Sequence, residues 1–304
     1  SIPSLILKNN LYGIEVDKRA GGLAAFALTM KARFMQKKFF NYSIKPNICI
    51  LENIKFEEGE INEYKKIFSK DIFSNSLENT LKIFEETKNF GSLIKTPLNG
   101  IDKIHEEFKL KNFSDNLFLD LTHKKVLNVI NQAQYLEGKY HIVVANPPYM
   151  GSKGMNKELS IFAKDNYPES KSDLFSMFVS RGFELVQHGG FLSYLTMQSW
   201  MYLGSYSNFR NKILSENTLL QMFHTGPGLF PDLGSYNVLT TAFLFRKGKN
   251  NISPNNCLFI KANDNPDISK KIKSLSDISK HIYLDIEILM KVPDKPLVYW
   301  LNEI

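Results

Sequence analysis

His141-Ile142-Val143-Val144-Ala145-Asn146-Pro147-Pro148-Tyr149 decides how the chain is read. Five residues of strand character run straight into an asparagine and two prolines. The prolines remove two backbone donors and fix φ, so the chain leaves the strand as a rigid, extended loop. A rigid loop at the carboxyl end of a parallel strand is where α/β folds place ligands. Asn146 supplies a side-chain carbonyl and Pro147 a backbone carbonyl, and together they can hold an exocyclic amine by both hydrogens. Tyr149 adds a flat face for stacking. That set suits a weak amine nucleophile: two acceptors localise its lone pair by position and electrostatics, without a strong base. A nucleobase must leave its duplex to reach such a pocket.

Working outward, strands and helices alternate on both sides. Asn9 to Val16 reads as a strand, Asp17 as the N-cap of a helix running to about Phe40, and Ile48 to Leu51 as a short strand. After Tyr140–Ala145, Lys171 to Gln187 reads as a helix closed by Gly189-Gly190. Phe191–Thr196, Leu219–His224 and Val238–Phe245 read as strands, with a helix over Asn208–Leu214. This alternation predicts an α/β sheet with crossover helices. Between Phe56 and Tyr140 the text is rich in Glu, Lys and Asn with helical spacing. Beyond Lys247 the pattern weakens into a basic tail. The expected organisation is 1–56, a helical insertion over 57–139, a catalytic part over 140–248, and a tail over 249–304 leading towards a target-recognition region.

Composition excludes several classes. Hydrophobic residues are 43% of the 304, and 12% are aromatic, enough for a sizeable core. The longest stretch without a charged residue, Leu185 to Phe209, carries Gln, Ser, Asn and Gly throughout, so it reads as folded interior and no membrane partner is expected. Two cysteines give no disulfide framework and fit the reducing cytoplasm. His105, His123, His141, His188, His224 and His281 show no paired spacing, so no metal is expected. The net charge of +7 is concentrated in residues 1–56, with nine Lys and Arg against three Asp and Glu, whereas 141–245 is neutral. The basic run Lys18–Lys45 is either a phosphate-attracting face or a solvated helix face.

Asn146–Tyr149 after an apolar strand resembles the catalytic motif of class I S-adenosylmethionine-dependent amino-methyltransferases. The resemblance implies a Rossmann-like class I methyltransferase sheet and S-adenosylmethionine as cofactor. Gly13-Ile14-Glu15-Val16-Asp17 is similar to the family's acid-tipped strand, which implies that Glu15 accepts the cofactor ribose hydroxyls and Val16 packs on its adenine. Asp17 belongs to the same cofactor motif or caps the next helix. Leu229-Phe230-Pro231 resembles the late motif that gives a second stacking aromatic, with Phe230 the candidate; the other reading is core packing. Asp173 either touches the catalytic loop or serves as a helix N-terminal acid, and Gly91-Ser92-Leu93-Ile94 is the candidate for the cofactor-adenine motif.

The run Asn146–Asn156, Ser170–Phe175 and Arg19–Ala27 is similar to PglX, the adenine-specific DNA methyltransferases of BREX phage-defence systems. This implies methyl transfer to N6 of a flipped adenine in double-stranded DNA, with other BREX subunits as partners. The family's glycine-rich cofactor loop should precede the Glu15 strand and does not occur in order here. The chain, which opens on Ser1, is therefore expected to be a piece of a longer protein that begins after that loop. Two rival readings remain: a methyltransferase acting on RNA or protein glutamine, and a cofactor-free DNA-binding or scaffold module of a defence complex.

Overall fold

A computed structural model describes residues 2–68, 74–98, 100–230, 238–249, 256–264 and 266–301. The chain divides into two compact units, 1–138 and 139–304.

The first unit begins with helix α1 (Ile2–Asn9), strand β1 (Tyr12–Glu15), helix α2 (Lys18–Met35) and strand β2 (Asn47–Ile50). The strand expected from Asn9 is thus shorter, because a helix precedes it: the Asn47 side-chain amide reaches the carbonyls of Leu7, Lys8 and Leu11 and closes α1 there. β1 and β2 pair in parallel, Tyr12 opposite Asn47 and Glu15 opposite Ile50. Asp17 caps α2 by accepting from the amides of Arg19 (2.7 Å) and Ala20 (3.0 Å). Helices α3 (Glu60–Lys65), α4 (Asn75–Ile83), α5 (Thr87–Phe90), α6 (Ile101–Lys109) and α7 (Leu117–Glu137) follow. Their apolar stripes share one core with β2 and the residue after it: Leu77, Leu81, Phe84, Val126, Ile130 and Ala133 pack with Cys49 and Leu51.

The second unit holds strand β3 (Tyr140–Ala145), helices α8 (Lys157–Asn166) and α9 (Leu174–Leu185), strand β4 (Val186–Met197), helix α10 (Ser207–Glu216), and strands β5 (Thr218–Gly226) and β6 (Thr240–Arg246). Strand β7 (Asn256–Lys261), helix α11 (Ile268–Ser274), strand β8 (His281–Asp285) and helix α12 (Ile286–Met290) complete it. The sheet order is β3-β4-β6-β5-β7-β8. β3 and β4 are parallel, and β6 lies antiparallel between β4 and β5. Phe175, Val179 and Phe183 of α9 recur every four residues and meet Leu192, Tyr194, Phe243 and Phe245 of the sheet. A Cβ at Gly182 would lie 2.6 Å from Leu192 Cδ1 and Tyr194 Oη, so glycine there lets α9 lie close against β4. One face of β3 joins this core through Val143 and Ala145, while Ile142 and Val144 on the other face stay exposed.

Two further sequence expectations change here. Gly189-Gly190 does not close the helix: α9 ends at Leu185 and passes directly into β4. A Cβ at Gly190 would meet the His141 carbonyl at 2.6 Å, so this glycine serves the approach of β4 to β3. Among its described residues, the stretch read as a weakly patterned tail carries the strands β7 and β8 and the helices α11 and α12. β7 pairs in parallel with β5, and Phe259 stacks on Tyr299 with ring centroids 4.6 Å apart.

Candidate active site

The loop that leaves β3 is fixed at several points. Pro147 is buried, while Asn146 and Pro148 are exposed. The Tyr149 hydroxyl donates to Asn146 Oδ1 at 3.1 Å and lies 3.3 Å from the Leu195 carbonyl of β4. Burial pushes the Tyr149 phenol up to about 12, so it remains a donor at neutral pH. Its ring meets Phe175 of α9 edge to face, with centroids 6.3 Å apart and planes at 88°; Phe175 is fully buried. The next residue, Met150, donates its amide to Asp173 Oδ1 at 3.1 Å, and the same oxygen accepts from Phe175 N at 3.1 Å to cap α9. Burial raises the Asp173 carboxyl, against the lowering effect of the amides of Phe175, Met150 and Leu174. Of the two readings of Asp173, both hold: it caps the helix and touches the loop.

This arrangement fixes the chemistry of Asn146. A side-chain carbonyl has two lone pairs. The Tyr149 hydroxyl takes one, which sets the amide's rotation, and leaves acceptor capacity on an exposed side chain. An amine donor approaching from solvent would meet an oriented acceptor.

The Glu15–Asp17 segment lies in the first unit. Glu15 Oε1 accepts from the amides of Val16 (2.8 Å) and Asp17 (3.0 Å), so the carboxylate folds over the end of β1. Asp17 is occupied as the cap of α2, and the amides of Ala20 and Arg19 hold its carboxyl below the usual range. An open cleft of about 430 Å³ is lined by Val16, Asp17, Lys18, Arg19 and Lys88. Gly91 has φ +55°, and a Cβ there would stand 3.3 Å from Val16 Cγ1, so the turn Gly91–Leu93 lies directly beside Val16. The residues fit a cofactor in part: Glu15 offers a carboxylate suited to paired hydroxyls, and Val16 offers an exposed apolar side chain to a flat ring.

Phe230 is half-buried in the stretch after β5, and Pro231 lies outside the described residues. The structure therefore groups Asn146, Pro147, Pro148 and Tyr149 at one strand end, and Glu15, Val16 and Asp17 at another. Sequence reasoning missed the Leu195 carbonyl and the Phe175 ring as supports. It also missed a polar network around His224 of β5, in which His224 Nε2 meets Gln198 Oε1 at 2.7 Å and His224 Nδ1 meets the Tyr299 hydroxyl at 2.9 Å. No spacing in the sequence marks these contacts, since the partners are 26 and 75 residues away. Among the described residues, no group of His, Cys, Asp and Glu could hold a metal ion, and no helix is long and apolar enough to cross a membrane.

The sequence profile of the Eco57I restriction-modification methylases matches residues 9–230, which contain both strand ends. The chain belongs to that methylase family. It is 33% identical over 328 aligned positions to the adenine-specific methyltransferase BrxX of Escherichia coli O9:H4 (strain HS), covering 98% of this chain and 27% of that protein. It is 32% identical to the adenine-specific methyltransferase PglX of Lacticaseibacillus casei (strain Zhang), covering 80% of this chain and 20% of that protein. The chain thus spans about a quarter of the curated relatives it matches. Among solved structures, the ATP-dependent Type ISP restriction-modification enzyme LlaBIII bound to DNA is similar with a TM-score of 0.42 and 10% identity, covering 93% of this chain and 21% of that one.

Proposed function

We propose that this chain carries the catalytic part of an adenine-specific DNA methyltransferase that methylates N6 of a flipped adenine in double-stranded DNA. The observation that carries the reading is the Asn146 carbonyl, oriented by the Tyr149 hydroxyl at the end of β3. S-adenosylmethionine, when bound, supplies an electrophilic methyl group on a sulfonium. Asn146 Oδ1 and the Pro147 carbonyl accept the two amine hydrogens of the base and make the N6 lone pair available for attack. Tyr149 stacks on the base, with Phe230 as the second aromatic. The N6 proton passes to water, since no strong base stands in the loop. Glu15 would accept the ribose hydroxyls, and Val16 would pack on the cofactor adenine.

The BrxX and PglX relatives support a role in BREX-type phage defence, with other subunits of such a system as partners. Two free, buried thiols, Cys49 and Cys257, support a cytoplasmic setting. The deciding experiment is Asn146→Ala in the full-length protein, assayed by labelled-methyl transfer to DNA, RNA and protein in parallel. Loss of transfer to DNA is expected. Transfer only to RNA or to protein in the unaltered enzyme would replace the substrate. Undiminished DNA methylation by the variant would remove the assignment.

A further inference from the structure

Asp173 does more than an N-cap requires. A capping carboxylate needs only the helix amide, here Phe175 N. The same Oδ1 also accepts from Met150 N, the residue after Tyr149. Around it the two segments form a short antiparallel join: Gly151 bridges Asp173, Leu174 N donates to the Met150 carbonyl at 3.0 Å, and Ser152 N donates to the Ser172 carbonyl at 3.0 Å. The exit of the catalytic loop is therefore attached to the first turn of α9. Two residues beyond Asp173, Phe175 supports the Tyr149 ring. Tyr149 is thus fixed from α9 on both sides, through its ring and through its following amide, and its hydroxyl orients Asn146.

We propose that Asp173 is a positioning residue for methyl transfer: through the Met150 amide it sets the place of Tyr149, and through Tyr149 the direction of the Asn146 carbonyl. This rests on the reading of Asn146 given above. A cap alone and a loop clamp make different predictions. Serine caps a helix about as well as aspartate, but its side chain is one atom shorter and cannot reach both amides. Asparagine keeps a carbonyl oxygen at the position of Oδ1 and can accept from both.

The test uses the full-length protein with labelled S-adenosylmethionine and genomic DNA free of adenine methylation. Thermal unfolding is measured on the same samples. Asp173→Ser is expected to keep a near wild-type midpoint and to lower kcat about tenfold, the size of one lost hydrogen bond to a charged acceptor, with KM for DNA little changed. Asp173→Asn is expected to stay within about threefold of wild-type kcat, since both bonds persist. Wild-type kcat in Asp173→Ser overturns the clamp, and so does an Asp173→Asn variant as slow as Asp173→Ser. If Asp173→Ser does not fold, a backbone ester at residue 150 deletes the Met150 N–H alone; wild-type kcat there overturns the proposal, and a drop of the same size supports it. Asn146→Ala runs alongside. Full activity in that variant overturns the site reading itself, whereas an inactive Asn146→Ala beside a wild-type Asp173→Ser overturns the clamp only.

Discussion

The segment that ends β1 and the segment that ends β3 each follow a strand of a parallel pair, but they are held differently. At Glu15–Asp17 the side-chain bonds are local: Glu15 closes on the next two amides, and Asp17 on those of Arg19 and Ala20. At Asn146–Met150 the supports come from far along the chain, Asp173 from 23 residues after Met150 and Leu195 from 46 after Tyr149. The Glu15 and Asp17 carboxylates are placed by their own neighbouring amides. A segment pinned by α9 and β4 cannot shift unless those elements shift. The division fits the two proposed tasks: holding a cofactor needs affinity, whereas directing an amine lone pair needs fixed geometry.

Substitutions can break this contrast. The largest effect is expected from Asn146→Ala, a fall in kcat of about 100- to 1,000-fold with cofactor affinity unchanged, the range for one oriented group facing developing charge. Calorimetry with S-adenosylmethionine beside a methyl-transfer assay separates the two quantities, and a matching loss of affinity would erase the contrast. Next comes Glu15→Ala, which should weaken cofactor binding about tenfold, as for hydrogen bonds to a charged acceptor, while saturating cofactor restores most of kcat. A kcat defect that saturation does not relieve would make the two strand ends alike. Tyr149→Phe keeps the ring and removes the hydroxyl with its contacts to Asn146 Oδ1 and the Leu195 carbonyl; we expect kcat to drop about fivefold, the worth of one ordinary hydrogen bond. No change would show that the Phe175 ring and the Asp173 bond to Met150 fix the loop by themselves.

A smaller effect concerns stability. Burial, with Lys271 nearby, lowers the His224 imidazole from 6.5 to about 4. The unfolded chain therefore takes up a proton before the folded one as pH falls, so the contribution is complete above pH 6.5 and is lost between 6.5 and about 4. Denaturation midpoints across that window should fall further in the wild type than in His224→Gln. Parallel curves would place His224 in water.

The legible parts of the molecule are those whose cause is local. β3 and its loop were readable because an apolar run and two prolines act on their own backbone, and the Asp17 cap because a carboxylate before a helix reaches only nearby amides. β6 was readable as a strand, but its antiparallel place between β4 and β5 was not, since alternation reports a face and never a neighbour. β7 was hidden for a related reason. Its six residues sit among Asn and Asp, and their burial comes from β5 beside them and Tyr299 stacked on Phe259. Likewise Asp173 was readable as a helix-start acid, but its bond to Met150 depends on where the fold returns the chain.

Arg210 carries a consequence for anyone shortening the protein. Its side chain is completely buried, and its guanidinium donates to the carbonyls of Trp200, Leu203, Asp294 and Lys295. Asp294 and Lys295 adopt left-handed φ of 60° and 48° to present theirs, and Leu297 N then donates to the Met201 carbonyl at 2.7 Å. A cut before residue 294 would leave a permanent cation in the interior with half its acceptors gone. The boundary of a usable fragment is thus set by a charge on α10 rather than by the end of α12, and any trimmed version should run at least through Leu297.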